Sequence, residues 1–319
     1  MKRMMLIINP VSGTVDKRGL ADSIIAHLAG HGIAVEPAFT QYAGHATELA
    51  RQAVGGYDAV LACGGDGTVN EVARALCDTG QTLGIIPAGS GNGLARHIEI
   101  PIDPIAALET IVAGHTDDCD YGTVNGRQFF CTFGIGFDAA VSDRFAAANG
   151  RGMVTYVRSA IQEFLNYKPQ RYNFEINGRR FSREAFIVAG ANASQYGNNA
   201  YIAPSASIRD GMLDIIIVHN GNLLDKTIIG MDMMSGTLGS NRQYEIHRCK
   251  SCVIERVDNG PGHVDGEPAD LGTRLQVECH PGRLRILTPA AKAEFKPILT
   301  PARALLTDLF RPLIRILPR

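Results

Sequence analysis

Along residues 1–118, short apolar runs alternate with segments whose apolar positions recur at helical spacing. Residues 4–8, 33–39, 59–63 and 83–86 read as strands, and residues 20–28, 46–54, 70–76 and 105–112 as helices. This alternation predicts a parallel sheet covered by helices. In such sheets ligands bind at the carboxyl ends of the strands. The rhythm changes near residue 118. Asn125-Gly126 and Asn177-Gly178 lie between strand-like runs and predict type I′ hairpins, whose two central residues both need positive φ. Further strand-like runs follow at 185–189, 213–218, 252–257, 275–279 and 284–287, while helical pattern is confined mainly to 156–165 and 223–234. The expected fold class is α/β plus β. A parallel α/β domain spans 1–118, a mostly antiparallel β domain 119–290, and a separate terminal segment 291–319.

That last segment has its own pattern. On a helical wheel of residues 302–319, Leu305, Leu306, Leu309, Phe310, Leu313, Ile314 and Leu317 fill one half. Arg311, Arg315, Arg319 and Asp308 fill the other, and Pro312 predicts a kink. Such a helix either meets an anionic membrane surface or docks on the protein with its arginines solvated.

Composition narrows the classes. A chain of 319 residues exceeds the size of about 250 at which single cores stop growing, so two domains are expected. A net charge of −1 and the lack of tryptophan argue against nucleic acid as a partner. The seven cysteines are odd in number and mostly lie in apolar runs, as free thiols in a reducing compartment would. The apolar run after Met1-Lys2-Arg3 is too short for a signal peptide, and no stretch reaches the roughly 20 apolar residues of a spanning helix. The expected location is the cytoplasm, with peripheral contact to the inner membrane face left open.

Candidate chemistry sits in the loops. Gly64-Gly65-Asp66-Gly67-Thr68 joins a strand to a helix. Glycines let backbone N–H groups approach phosphate oxygens, and the helix N-terminus adds partial positive charge. An aspartate there repels phosphate unless it engages magnesium or a hydroxyl proton, which points to phosphoryl transfer; an ordinary turn is the alternative. Pro87-Ala88-Gly89-Ser90-Gly91-Asn92-Gly93 follows the next strand, Asn9-Pro10-Val11-Ser12-Gly13 the first, and Thr40 the second, with Gly44-His45-Ala46 opening a helix. Four such loops at one sheet edge outline a crevice. The chain has no G-x-x-x-x-G-K-[ST] sequence. Gly134-Ile135-Gly136-Phe137-Asp138-Ala139 fits G-x-G-x-x-A but opens no strand–helix–strand unit with a placed acid. Late in the chain, Asp265-Gly266-Glu267 is either a base or metal contact reaching the crevice or a surface hairpin turn. Asp210 in Arg209-Asp210-Gly211 is either a turn residue or an oxygen ligand for a hard cation. Cys249-x-x-Cys252 has no second pair, and residues three apart in one strand face opposite sides, against a zinc site.

Together, N-P-x-S-G at 9–13, GGDGT-x-N-E at 64–71, P-x-G-[ST]-x-N-x-[LF]-A at 87–95 and D-G-E at 265–267 resemble the diacylglycerol kinase and sphingosine kinase family of lipid kinases. The resemblance runs in order over nearly the whole chain. It implies an α/β nucleotide domain, a β-sandwich lipid domain and ATP between them, with Mg²⁺ required. By position it implies ATP contacts at Asn9, Pro10, Ser12, Gly13, Thr40, Gly64, Gly65, Asp66, Gly67, Thr68, Val69, Asn70 and Ser90. It implies a catalytic role for Glu267 or Asp66, and a structural magnesium ion on Asp210 with the carbonyls of Ser207 and Met212. The implied partner is a lipid presented at a membrane surface, with a homodimer left open. Bacterial diacylglycerol kinases usually carry aspartate where this chain has Gly93, which looks closer to the sphingosine kinase loop. Gly93, Asp138 and Asp265 are therefore the candidate substrate-facing residues. Two rival functions remain: a kinase acting on NAD, and a non-catalytic regulator that binds nucleotide or lipid.

Overall fold

The computed structural model describes residues 1–12, 17–137, 139–140 and 167–290. Gly13, Asp138, the expected helix at 156–165 and the segment 291–319 lie outside the described residues.

The first half builds β1 (Arg3–Ile8), α1 (Lys17–Gly30), β2 (Ala34–Phe39), α2 (His45–Ala53), β3 (Ala59–Gly64), α3 (Asp66–Leu76) and β4 (Thr82–Pro87). The strands pair in parallel in the order β4-β3-β1-β2. Both faces of β1, β3 and β4 are covered, so these strands read as unbroken apolar runs. Met5, Ile7, Val60, Ala62 and Leu83 face α2 and α3. Their neighbours Met4, Leu6, Ile8, Leu61 and Cys63 face α1. Edge strand β2 is half exposed and carries Pro37, which an edge tolerates because one side of its backbone has no ladder to donate to. A short helix, α4 (Gly93–His97), follows the second glycine loop and was not foreseen. The helix expected at 105–112 starts later, as α5 (Leu108–Ala113).

The second half comprises β5 (Thr116–Val124), β6 (Arg127–Phe129), β7 (Thr132–Gly136), β8 (Gln170–Ile176), β9 (Arg179–Ala191), β10 (Leu213–His219), α6 (Leu223–Ser235), β11 (Tyr244–Cys249), β12 (Ser251–Arg256), β13 (Gly262–Val264), β14 (Glu267–Pro268) and β15 (Arg274–Leu287). These strands pair antiparallel with one another. Both foreseen hairpins form, with φ of 49° and 76° at Asn125-Gly126 and 50° and 75° at Asn177-Gly178. Phe129, Phe133, Tyr172, Phe174, Ile215 and Ile254 make a separate aromatic-rich core.

Two details differ from the sequence reading. The runs 275–279 and 284–287 belong to one bent strand, β15, whose register on β5 shifts between His280 and Leu284. At the bend Gly282 donates its N–H to Asp120 Oδ1 (2.8 Å), so a side chain takes over a lost ladder bond. Beyond the bend β15 runs parallel to β4 through Arg285 and Ile286, which joins both halves into one sheet. Cys249 and Cys252 do not share a strand. They flank Lys250-Ser251 where β11 gives way to β12, and both thiols are free and buried in the same core.

Leu61 is fully buried, and a Cβ added at Gly84 would lie 2.4 Å from its Cδ2. The leucine fills the space that glycine leaves. Leu61→Ala should lower stability by about 2–5 kcal/mol in urea denaturation. A loss under about 1 kcal/mol would show that this contact is not part of a tight core.

Candidate active site

The crevice lies at the carboxyl edge of β1–β4. Gly65 is the N-cap of α3, and the first turn of that helix carries N–H groups without intrahelical partners. The glycines of both loops serve close approach. A Cβ on Gly64 would stand 2.5 Å from Thr68 Oγ1, one on Gly89 2.3 Å from Gly65 Cα, and one on Gly91 2.5 Å from Asp66 Oδ2. The two glycine loops therefore touch, backbone to backbone.

Asp66 joins them. Its Oδ2 accepts the Asn92 N–H (2.8 Å) and its Oδ1 the Gly93 N–H (2.6 Å). Burial raises its pKa, and those two N–H groups oppose the rise. Asn92 adopts a left-handed conformation (φ 55°), closes its own loop onto the N–H and C=O of Gly89, and leaves Ser90 exposed. The first loop is bound in as well. Asn9 donates its N–H to Cys63 O (3.1 Å) and its Nδ2 to Thr68 Oγ1 (3.2 Å), while Ser12 Oγ donates to Asn9 O. Pro10 is exposed, whereas Val69 and Asn70 are buried on α3.

The fourth loop differs from expectation. Thr40 is buried, with its N–H on Ile8 O. The α2 N-terminus is not open to a phosphate, because Glu71 already accepts the N–H groups of Gly44 (2.9 Å) and Ala46 (3.1 Å). The sequence held the signal, since Glu71 closes the GGDGT-x-N-E run, but not its target.

From the second half, the β13–β14 hairpin brings Asp265-Gly266-Glu267 to the same place. Glu267 is exposed, and its Oε1 lies 3.4 Å from where a Cβ on Gly67 would stand. Asp265, expected to face substrate, turns toward the main chain ahead of β7. Its carboxylate accepts the N–H groups of Phe130 (2.9 Å), Cys131 (2.8 Å) and Thr132 (2.9 Å). Burial nevertheless pushes its pKa up to about 6. Gly93 is likewise buried, its N–H on Asp66, and a Cβ there would meet Gly197 N at 3.4 Å and Cys131 Sγ at 3.5 Å. Gly93 thus packs against the loop at 196–197.

Sequence reasoning also missed His97. It accepts the Ser194 N–H at Nδ1 (3.1 Å), and Ser194 Oγ lies 2.9 Å from the same nitrogen. Burial pushes its pKa down to about 4, so the ring is a neutral link between α4 and the strap after β9.

Ser207, Asp210 and Met212 occupy one turn ahead of β10. Asp210 Oδ1 accepts the Met212 N–H (3.1 Å), and Arg248 Nη1 lies 3.7 Å from Oδ2. Asp120 close by accepts the N–H groups of Gly211 and Gly282. Among the described residues no three His, Cys, Asp or Glu side chains form a metal-binding group. Asp210 is nonetheless an exposed carboxylate, an oxygen donor of the kind that magnesium takes.

Residues 3–124 match the diacylglycerol kinase catalytic domain, and residues 132–288 match the YegS C-terminal NAD kinase beta sandwich-like domain. A diacylglycerol kinase of Bacillus subtilis is 31% identical over 307 residues, covering 92% of this chain and 99% of its own. One of Mycobacterium tuberculosis is 31% identical over 299 residues, covering 90% and 95%. The crystal structure of a diacylglycerol kinase from Bacillus anthracis superposes with a TM-score of 0.77 at 25% identity, covering 91% of this chain and 98% of that one. With its crevice, its two joined glycine loops and its late Asp-Gly-Glu hairpin, the chain belongs to the diacylglycerol kinase family.

Proposed function

We propose that the protein transfers the γ-phosphate of ATP to the hydroxyl of a membrane lipid, a diacylglycerol or a sphingoid-type alcohol. The observation that carries this reading is the approach of Glu267 to Gly67, which sets a free carboxylate on the rim of a glycine loop built for phosphate. The N–H groups at the start of α3 cradle the phosphates. Asn9 holds Thr68 in place, and Asp66 keeps the second loop in register with the first. Glu267 takes the proton of the lipid hydroxyl as that oxygen attacks phosphorus. Magnesium on the nucleotide would neutralise charge developing on the transferred group. Asp210, with the carbonyls of Ser207 and Met212, would hold a second, structural ion. NAD is the rival acceptor, favoured by the description of the domain matched at 132–288.

Labelled γ-phosphate should pass from ATP to diacylglycerol or a sphingoid base in vesicles and not to NAD. Label on NAD alone would replace the lipid reading. Glu267→Ala should lower kcat by roughly 10²–10⁴, the usual worth of a positioned base, with the KM for ATP little changed. A variant with wild-type kcat would remove Glu267 from the chemistry.

Membrane contact through residues 302–319 is part of the proposal and rests on their basic amphipathic pattern. Among the described residues no helix is long and apolar enough to cross a membrane. Deleting the segment should weaken sedimentation with anionic vesicles and spare activity on a soluble short-chain lipid. Equal sedimentation by both folded proteins would contradict a membrane role.

A further inference from the structure

We infer that Asp265 is a positioning residue, whose grip on the main chain at Phe130, Cys131 and Thr132 aims Glu267 at the first glycine loop. The inference rests on Glu267 being the base.

The hairpin that carries Glu267 cannot hold itself. It has two paired rows, His263 with Pro268 and Val264 with Glu267. Strand β14 ends the sheet, and Glu267 and Pro268 are both exposed. A hairpin this short is marginal in water without an outside anchor; β13 is anchored by its pairing with β7, and the turn beyond it by Asp265. Asp265 and Gly266 make its turn, at φ 50° and 81°. Turn chemistry alone does not call for aspartate, since asparagine suits the left-handed position equally well. The carboxylate is what three converging N–H donors require. Asp265 also donates its own N–H to Thr132 O (2.7 Å), so the grip is reciprocal.

What Asp265 holds is itself held. Asn192 Nδ2 donates to Phe130 O and Asp120 O, each at 2.9 Å. The N–H groups of Asn192 and Ala193 both reach Cys131 O. Ser194, next in the chain, is bonded to His97 at the end of α4. One run of hydrogen bonds therefore leads from the second glycine loop to the turn that presents Glu267. A base must meet its proton within hydrogen-bond reach, and a misplacement near 1 Å can cost about 10²-fold in rate. Direct bonding along this route fixes that distance.

The test is a double-mutant comparison with labelled ATP and lipid vesicles. Asp265→Ala should lower kcat by roughly 10–10² while the KM for ATP stays within about twofold. Asp265→Asn keeps an oxygen for Cys131 and Thr132 but turns an amide toward the Phe130 N–H, so its loss should be intermediate. In a Glu267→Ala background neither substitution should lower the residual rate further, because there is no base left to aim. The same fold loss in both backgrounds would make Asp265 merely structural and overturn the inference, as would an unchanged kcat. If Asp265→Ala does not unfold cooperatively on heating, the asparagine variant carries the same comparison. A Glu267→Ala enzyme with wild-type kcat would fail first, and would remove the base assignment together with its aim.

Discussion

Two backbone N–H groups, from Asn92 and Gly93, share the carboxylate of Asp66, and the site is arranged around that contact. Bonds from N–H to a charged acceptor are stronger than neutral ones, and these two cross from one parallel strand's loop to the next. They demand close approach, which Gly65, Gly89 and Gly91 permit by lacking a Cβ. They also compensate a negative charge at the head of α3, where bare carboxylate would repel a phosphate. Asp66 thus joins the two loops, and in the proposed function it keeps them in register for the nucleotide.

The second constraint is the joining of the halves. β15 leaves the antiparallel strands, bends at Pro281-Gly282 and finishes beside β4. The chain that supplies Glu267 is thereby fixed in the same sheet that supplies the glycine loops. His97, Ser194 and the stretch 130–132 add a shorter polar route across the same boundary. A late acid reaches an early loop because sheet and strap agree on where it goes.

Much of this was legible in the sequence, for reasons that also mark where legibility stopped. Strands β1, β3 and β4 showed as apolar runs because both their faces are covered. The two Asn-Gly hairpins showed because left-handed turns restrict residue type locally. What failed was contact between distant segments. Asp265 read as a substrate-facing or metal-contacting acid or as a surface turn, because its three donors lie at 130–132, far back in the chain. Glu71 looked like part of a phosphate motif, yet it fills a helix N-terminus at Gly44. The contact of Gly93 with the loop at 196–197 did not show either. α4 is too short for periodicity to reveal, and its start depends on Asp66 and on the left-handed Asn92.

The most direct test of the account is backbone amide hydrogen exchange, with and without a non-hydrolysable ATP analogue and magnesium. The amides of Gly67 and Thr68, at the head of α3, should slow on binding. Those of Asn92 and Gly93, already bonded to Asp66, should exchange slowly in both states. Fast exchange at Asn92 and Gly93 in the free protein would contradict the account, as would protection confined to the stretch 134–137.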